Sequence, residues 1–234
     1  MDFNKKGGRS DIDNAPSNTA FFLRKLVSGC FGLAIALPVC AGTMGEVAPN
    51  QLNWTATGSL GYTVYEDMYR GDGGTAIGRL ALGRELYRTS GMTLGLEVGV
   101  QNGNTMRYFP SQYIVDTLGG LPIRTTAKPM LDVLATLTTA SMGTTPFFGV
   151  LKGGAAYRRW QFDDRNSIND LSKFAGEVQA GLGYTISEKT NLSLVYQGIY
   201  GSSPDFHLNV AAETGHVDNI PMQHGVLLSF TVAL

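Results

Sequence analysis

The feature that most constrains the fold is a repeated alternation of apolar residues with small or polar ones. Four segments show it most clearly, 54–64, 92–101, 174–184 and 225–234. In the second of these, Leu94, Leu96 and Val98 alternate with two glycines and a glutamate. Successive side chains of a β-strand point to opposite faces, so a period of two predicts strands that each carry one apolar face.

Four further segments follow the same alternation less regularly: 75–87, 130–140, 146–157 and 190–200. Each of the eight segments has about ten residues or more, which is the length that a tilted strand needs to cross a bilayer. The sequence therefore predicts an all-β fold, an eight-stranded antiparallel up-and-down transmembrane β-barrel.

The composition of the second face distinguishes a membrane barrel from a soluble one. A soluble barrel turns its apolar face inward and covers its outside with charged side chains, but only 16% of this chain is charged. The face opposite the apolar one consists of glycine, serine, threonine and glutamine with isolated charges, namely Arg79, Glu85, Glu97, Asp132, Lys152 and Glu177. We therefore predict that the apolar face contacts lipid. The charges then share a narrow lumen, where Arg79 and Lys152 should each reach a carboxylate, because an isolated buried charge is costly.

The links between the segments alternate in length. The short ones are 88–91, 141–145 and 187–190, and the long ones are 66–74, 102–128, 158–172 and 201–221. Transmembrane barrels have short periplasmic turns and longer extracellular loops. The alternation predicts that the long links face the outside of the cell.

The N-terminal part has the pattern of a secretory leader. Arg24 and Lys25 precede an apolar run that ends near a small-residue cleavage site at Ala41. The prediction is a signal peptide over 1–41 and an outer-membrane barrel over 42–234. Residues 1–22 are polar and lie unusually far upstream, so we interpret them as an extension produced by an early start assignment.

Charge and cysteine content exclude other classes. The formal net charge of the whole chain is −1, so there is no basic field for nucleic acid. Both cysteines, Cys30 and Cys40, lie within the predicted leader. We therefore expect a mature chain with no disulfide and no thiolate chemistry, and we expect no cofactor.

The leader, the eight alternating segments and the alternation that continues to the last residue together carry a resemblance. The chain resembles small bacterial outer-membrane β-barrels of the outer-membrane protein A and X types and the "porin family" surface proteins. The predicted mature start, Ala41-Gly42-Thr43-Met44-Gly45, is similar to that of small surface barrels from Legionella and Coxiella. The resemblance implies residence in the outer membrane, contact with its lipid and lipopolysaccharide, and partners reached through the loops.

In that family the barrel-insertion machinery recognises the last strand, which usually ends in phenylalanine. This chain ends in leucine, and the residues implied as its insertion signal are Val226, Leu228, Phe230, Val232 and Leu234.

A separate cluster of Arg158, Arg159 and Trp160 is a candidate for an interfacial anchor or for contact with lipopolysaccharide phosphates.

Catalytic and metal sites are weakly indicated. All three histidines, His207, His216 and His224, lie late in the chain. A lipid-A deacylase would need a histidine, a serine and a carboxylate near the leaflet boundary, and no closely placed serine follows His207. His216 and Asp218 with Glu213 could line one loop, but such donors in a polar loop are usually solvated. We therefore predict no catalytic site and no metal site.

Three functions stay open from the sequence. The first is a non-catalytic surface protein with a structural or partner-binding role. The second is a narrow channel or a carrier of a small apolar molecule. The third, more distant, is a lipid-A-modifying barrel enzyme. An eight-stranded barrel has an interior that side chains fill or that holds one small ligand.

Overall fold

The protein, represented here by a computed structural model, is described over residues 53–69, 72–108, 116, 123–141, 145–163, 168–209 and 214–234. The signal peptide predicted over 1–41 lies outside the described residues. No helix in the described part has the length and apolar character to cross a bilayer.

Eight long strands of the described chain form one closed antiparallel sheet. In barrel order they are β1 (Trp54–Tyr65), β2 (Gly74–Arg88), β3 (Met92–Gln101), β6 (Met130–Thr139), β7 (Phe147–Asp163), β8 (Leu171–Ser187), β9 (Thr190–Ile199) and β12 (Gln223–Ala233). The pairing of β1 with β12 closes the sheet. The predicted eight-stranded antiparallel up-and-down barrel is confirmed.

Small residues on the inner face allow the wall to curve at the closing seam. A Cβ atom added to Gly61 would lie 2.1 Å from the carbonyl oxygen of Val226 on β12. A Cβ atom added to Gly225 would lie 2.4 Å from the carbonyl oxygen of Tyr62 on β1. Because both positions face the lumen, the backbones can approach each other only where the inner side chain is missing.

The outside of the barrel is apolar. Leu60 is 73% exposed, Leu80 is 68% exposed and Leu194 is 57% exposed, although each would be a core residue in a soluble protein. Their inward-facing neighbours Ser59, Arg79 and Val195 are buried. An exposed apolar surface of this extent needs a lipid environment, so the predicted orientation of the two faces is confirmed.

Two hairpins lie in links that the sequence predicts as loops. Strands β4 (Asn104–Tyr108) and β5 (Ile123–Ala127) fall within 102–128, and β5 pairs with the end of β7. Strands β10 (Phe206–Asn209) and β11 (Thr214–Val217) fall within 201–221 and pair with each other. The interpretation of these two stretches as plain loops is wrong, because strands outside the membrane need no apolar outer face.

The third long link is also shorter than predicted. β7 continues to Asp163 and β8 begins at Leu171, so most of 158–172 is strand. Along β7 the polarity of the faces reverses. Lys152 points inward and Leu151 outward, whereas near the end of the strand Trp160 and Phe162 are buried and the intervening Gln161 is not. The reversal marks where the strand leaves the hydrocarbon layer.

Candidate functional site

Four charged side chains close the middle of the lumen. The Arg79 guanidinium on β2 donates through Nε to Asp132 Oδ2 at 2.9 Å, and its Nη1 lies 2.8 Å from Glu97 Oε1. The Lys152 ammonium on β7 lies 2.9 Å from both carboxylate oxygens of Glu97. Each of these four side chains is at most 11% exposed. Two cations thus face two anions, and the group is neutral as a whole.

The strand register explains how these side chains meet. Asp132 on β6 pairs with Gly99 on β3, which is an inward position without a side chain. A Cβ atom at Gly99 would lie 2.4 Å from Arg79 Nη2 and 2.7 Å from Asp132 Oδ1. The glycine therefore leaves the space through which the arginine reaches across β3. Such charge-assisted pairs are stronger than neutral hydrogen bonds and fix the geometry of both partners.

The structure keeps two of the six predicted lumen charges apart from this group. Glu85 forms an ion pair with Arg88 at the short-turn rim. Glu177 accepts hydrogen bonds from the side-chain amides of Gln179 and Gln197, each at 2.7 Å. Glu85 lies too near the strand end to reach the middle of the lumen, and glutamines occupy the inward positions around Glu177.

A layer of buried glutamines lies on the long-loop side of the charges. The sequence pattern places glutamine on the inner face but does not bring these residues together. Gln197 also donates to Gln101 at 3.1 Å, and both are buried with Gln179 and Gln223. All four occupy inward positions of their strands, so the alternation would have identified them. Which of them bond to one another depends on the strand register, which the period of two does not determine.

Arg158 and Trp160 lie inside the barrel. Arg158 is 3% exposed, donates to the carbonyl oxygen of Pro221 at 2.8 Å and lies 5.4 Å from the ring centroid of Tyr65. Trp160 is 1% exposed and meets the Tyr65 ring edge-on at 5.9 Å. The prediction that they contact the membrane interface is wrong, because β7 continues and both residues keep the inward parity. Arg159 between them is exposed, and its contact with lipopolysaccharide stays a prediction.

An apolar cap closes the lumen at the long-loop end. Its buried side chains come from β4, β5, β7, β8, β10, β11 and nearby links, and they are Met106, Tyr108, Ile123, Ala127, Trp160, Phe162, Ile168, Leu171, Phe206, Val217 and Ile220. The Tyr108 hydroxyl donates to the carbonyl oxygen of Pro204 at 3.1 Å. Burial, aided by nearby Asp205 and Asp67, raises the pKa of Tyr108 to about 12, so this hydroxyl stays protonated.

A salt bridge ties the cap to the first long link. Arg107 on β4 pairs with Asp72, and the guanidinium also lies 5.1 Å from the ring centroid of Tyr69. The hydrogen bond from Arg107 lowers the pKa of the Asp72 carboxyl. The pair is exposed to water, so it positions the link more than it stabilises the fold.

The histidines lie at the long-loop end of the barrel. His207 and His216 face each other across the β10–β11 hairpin. Nε2 of His216 lies 2.7 Å from Asp218, and Nε2 of His207 lies 3.3 Å from Asp218 and 3.5 Å from Asp205. All four side chains are exposed. His224 on β12 lies 3.7 Å from Glu66. Glu213 lies outside the described residues, and within the described part no group of three or more potential ligands could hold a metal ion.

At the short-turn end the lumen opens into a cavity of about 330 Å³, which we call the vestibule. Its walls are mostly inward positions at the short-turn ends of the barrel strands, with residues of the adjoining turns. Ten threonines and serines are among them, Phe148 and Val150 add apolar area, and the Glu97–Lys152 pair lies at the inner end. The vestibule is therefore a hydroxyl-rich recess that opens at the short-turn end.

The last strand has the alternation expected of an insertion signal. Val226, Leu228 and Phe230 are each about half exposed on the outer face, between the buried Gly225, Leu227 and Ser229. Val232 and Leu234 continue the same parity. Recognition of these residues by the insertion machinery stays a prediction.

Comparison with known proteins finds no matching family model and no matching curated protein. Among solved structures, Neisserial surface protein A is similar at 11% identity, with a TM-score of 0.43 over 78% of this chain and 97% of that one. The attachment invasion locus protein Ail of Yersinia pestis is similar at 10% identity, with a TM-score of 0.42 over 78% of this chain and 96% of that one. The Escherichia coli outer-membrane protease OmpT has 11% identity and a TM-score of 0.35, over 82% and 99%.

These likenesses are too distant to transfer a function, and the architecture itself decides the class. A closed antiparallel barrel satisfies every inter-strand backbone group, and its apolar outside and polar inside suit a bilayer rather than water. The chain is a transmembrane β-barrel of the bacterial outer-membrane type.

The lumen charges generate a stability prediction. Lys152→Glu places a third carboxylate beside Glu97 and removes one of its two cationic partners. Breaking a buried pair in this way costs about 3–5 kcal/mol. We expect urea unfolding of the barrel in lipid vesicles to shift to clearly lower denaturant.

The matched control is Lys173→Glu, a charge reversal at an exposed position of β8. It should shift the unfolding midpoint little. Equal midpoints for Lys152→Glu and the unmodified barrel would contradict the role assigned to the charge group.

Proposed function

We propose that this chain is a non-catalytic outer-membrane surface protein whose barrel is a closed scaffold for structured extracellular hairpins. The observation that carries the proposal is the double closure of the lumen. The Arg79, Glu97, Asp132 and Lys152 group fills the middle, and the apolar cap fills the extracellular end.

Closure at the extracellular end argues against a transport role. The cap contains large buried side chains such as Trp160, Phe162 and Tyr108. They pack against one another as the core of a small soluble protein does. Separating them would expose apolar surface to water, which costs free energy. A solute that enters from outside would first have to open this core and then separate the ion pairs beneath it.

The cap also suggests what the extracellular side is for. Its hairpins turn apolar residues inward and polar ones outward. On β4, for example, Met106 and Tyr108 are buried and Thr105 and Arg107 are exposed. The cap holds β4–β5 and β10–β11 in defined positions above the membrane. Rigidly held segments bind partners at a lower entropic cost than mobile loops, so the exposed edges and faces of these hairpins are the proposed contact surface.

A channel is the second candidate, and conductance separates it from the scaffold. We expect the purified barrel to produce no discrete current steps in a planar bilayer, because neither closure leaves a continuous water path. Correct folding is checked on a denaturing gel, where an unheated barrel should migrate differently from the boiled form. Reproducible current steps from heat-modifiable protein would contradict the closed scaffold.

The non-catalytic part of the proposal has its own test. His207 lies beside Asp205 and Asp218 and is the histidine best placed for acid–base chemistry. We expect lipid A from cells that express the unmodified chain to have the same mass spectrum as lipid A from cells that express His207→Ala. An acyl chain lost only with the unmodified protein would replace the scaffold by the enzyme.

A further inference from the structure

We propose that the vestibule is a binding site for a small neutral polyhydroxylated molecule, a sugar or polyol, that enters from the periplasmic side. The cavity of about 330 Å³ lies within the range of roughly 300–1,000 Å³ that is usual for small-molecule sites. The inference goes beyond the scaffold role, because that role leaves this end of the lumen without a function.

The lining supplies hydroxyl groups from all sides. They include Thr57, Thr93, Thr136, Thr185, Ser193 and Thr231, which belong to six different strands. A hydroxyl both donates and accepts, and its hydrogen can rotate to suit the partner. Thr57 and Thr231, for example, lie 3.0 Å apart across the seam, and either oxygen can be the donor. A ligand with several hydroxyls can match such a wall in several orientations.

The side-chain charges disfavour an anion inside the vestibule. Two cationic side chains border the vestibule, Arg88 and Lys152, and three anionic ones, Glu85, Glu97 and Glu188. Arg84 also belongs to this part of β2, but its side chain lies on the outer face over the Trp54 ring. Lys152 already holds both oxygens of Glu97, and Arg88 is already paired with Glu85. An added anion would find no surplus cation and would have to displace an internal carboxylate. A cation would meet the surplus carboxylate only at Glu188, an exposed turn residue at the rim.

The shape of the vestibule indicates retention rather than passage. Lys152 and Glu97 stand at the inner end, and Arg79 and Asp132 lie behind them. A molecule entering from the short-turn side therefore reaches a closed floor. Phe148 and Val150 make part of the wall apolar, but the hydroxyls disfavour the small apolar cargo considered from the sequence, because an apolar ligand would leave them without partners.

The test is a titration of trehalose into the isotope-labelled barrel in phosphatidylcholine nanodiscs, followed by nuclear magnetic resonance. We expect saturable shifts at vestibule residues and none from sodium sulfate or benzene at the same concentration. Ser193→Phe, which fills the vestibule, should weaken binding about tenfold or more, equivalent to at least 1.4 kcal/mol. Leu192→Phe is the matched control, since it adds the same ring to the outer face of the same strand and should leave binding unchanged.

Thr136→Val provides a second variant that keeps the side-chain volume and removes one hydroxyl, so it tests the site even if Ser193→Phe does not fold. It should weaken trehalose binding measurably. The proposal is overturned by an absence of saturable shifts, by equal binding in Ser193→Phe and Leu192→Phe, by unchanged binding in Thr136→Val, or by a stronger response to sulfate or benzene.

Discussion

The constraint on which the structure depends is that a strand inside hydrocarbon must pair both of its edges and present apolar side chains outward. The closed sheet meets the first demand and the exposed leucines and valines meet the second. Everything polar must then go inside or beyond the membrane. The ion pairs, the glutamine layer and the hydroxyl-lined vestibule are consequences of this inversion.

The same constraint explains why the two ends of the lumen differ. Beyond the hydrocarbon layer on the long-loop side, strands revert to the polarity of a soluble protein. Phe162 on β7 and Met106 on β4 are therefore buried, while Arg107 is exposed. On the short-turn side the strands end without such an extension, and the lumen opens there into the vestibule, with Phe148 and Val150 in its wall. The barrel is consequently capped at its long-loop end and open at its short-turn end.

The period of two was sufficient to predict the strands and the orientation of their faces, because a membrane strand has the same pattern along its whole length. The prediction of strand ends failed where the same alternation continued with the polarity of its two faces reversed. After Arg158 the alternation continues but its polarity reverses, with Trp160 and Phe162 inward and Arg159 outward, so a continuous strand was interpreted as a link. The short strands β4 and β10 have too few residues for a clear period. The contacts within the lumen also depend on register: Glu177 has the right parity, yet its hydrogen-bond partners are glutamines.

The most direct test of the account is the environment of two adjacent side chains on β9. Single cysteines at Ser193 and Leu194, each carrying a nitroxide label, can be compared in lipid bilayers for collisions with oxygen and with a water-soluble nickel chelate. The account predicts that the label at 194 meets oxygen dissolved in the lipid and the label at 193 meets the nickel chelate in the vestibule. The reverse result, or equal access of the chelate to both positions, would contradict an apolar face turned toward hydrocarbon.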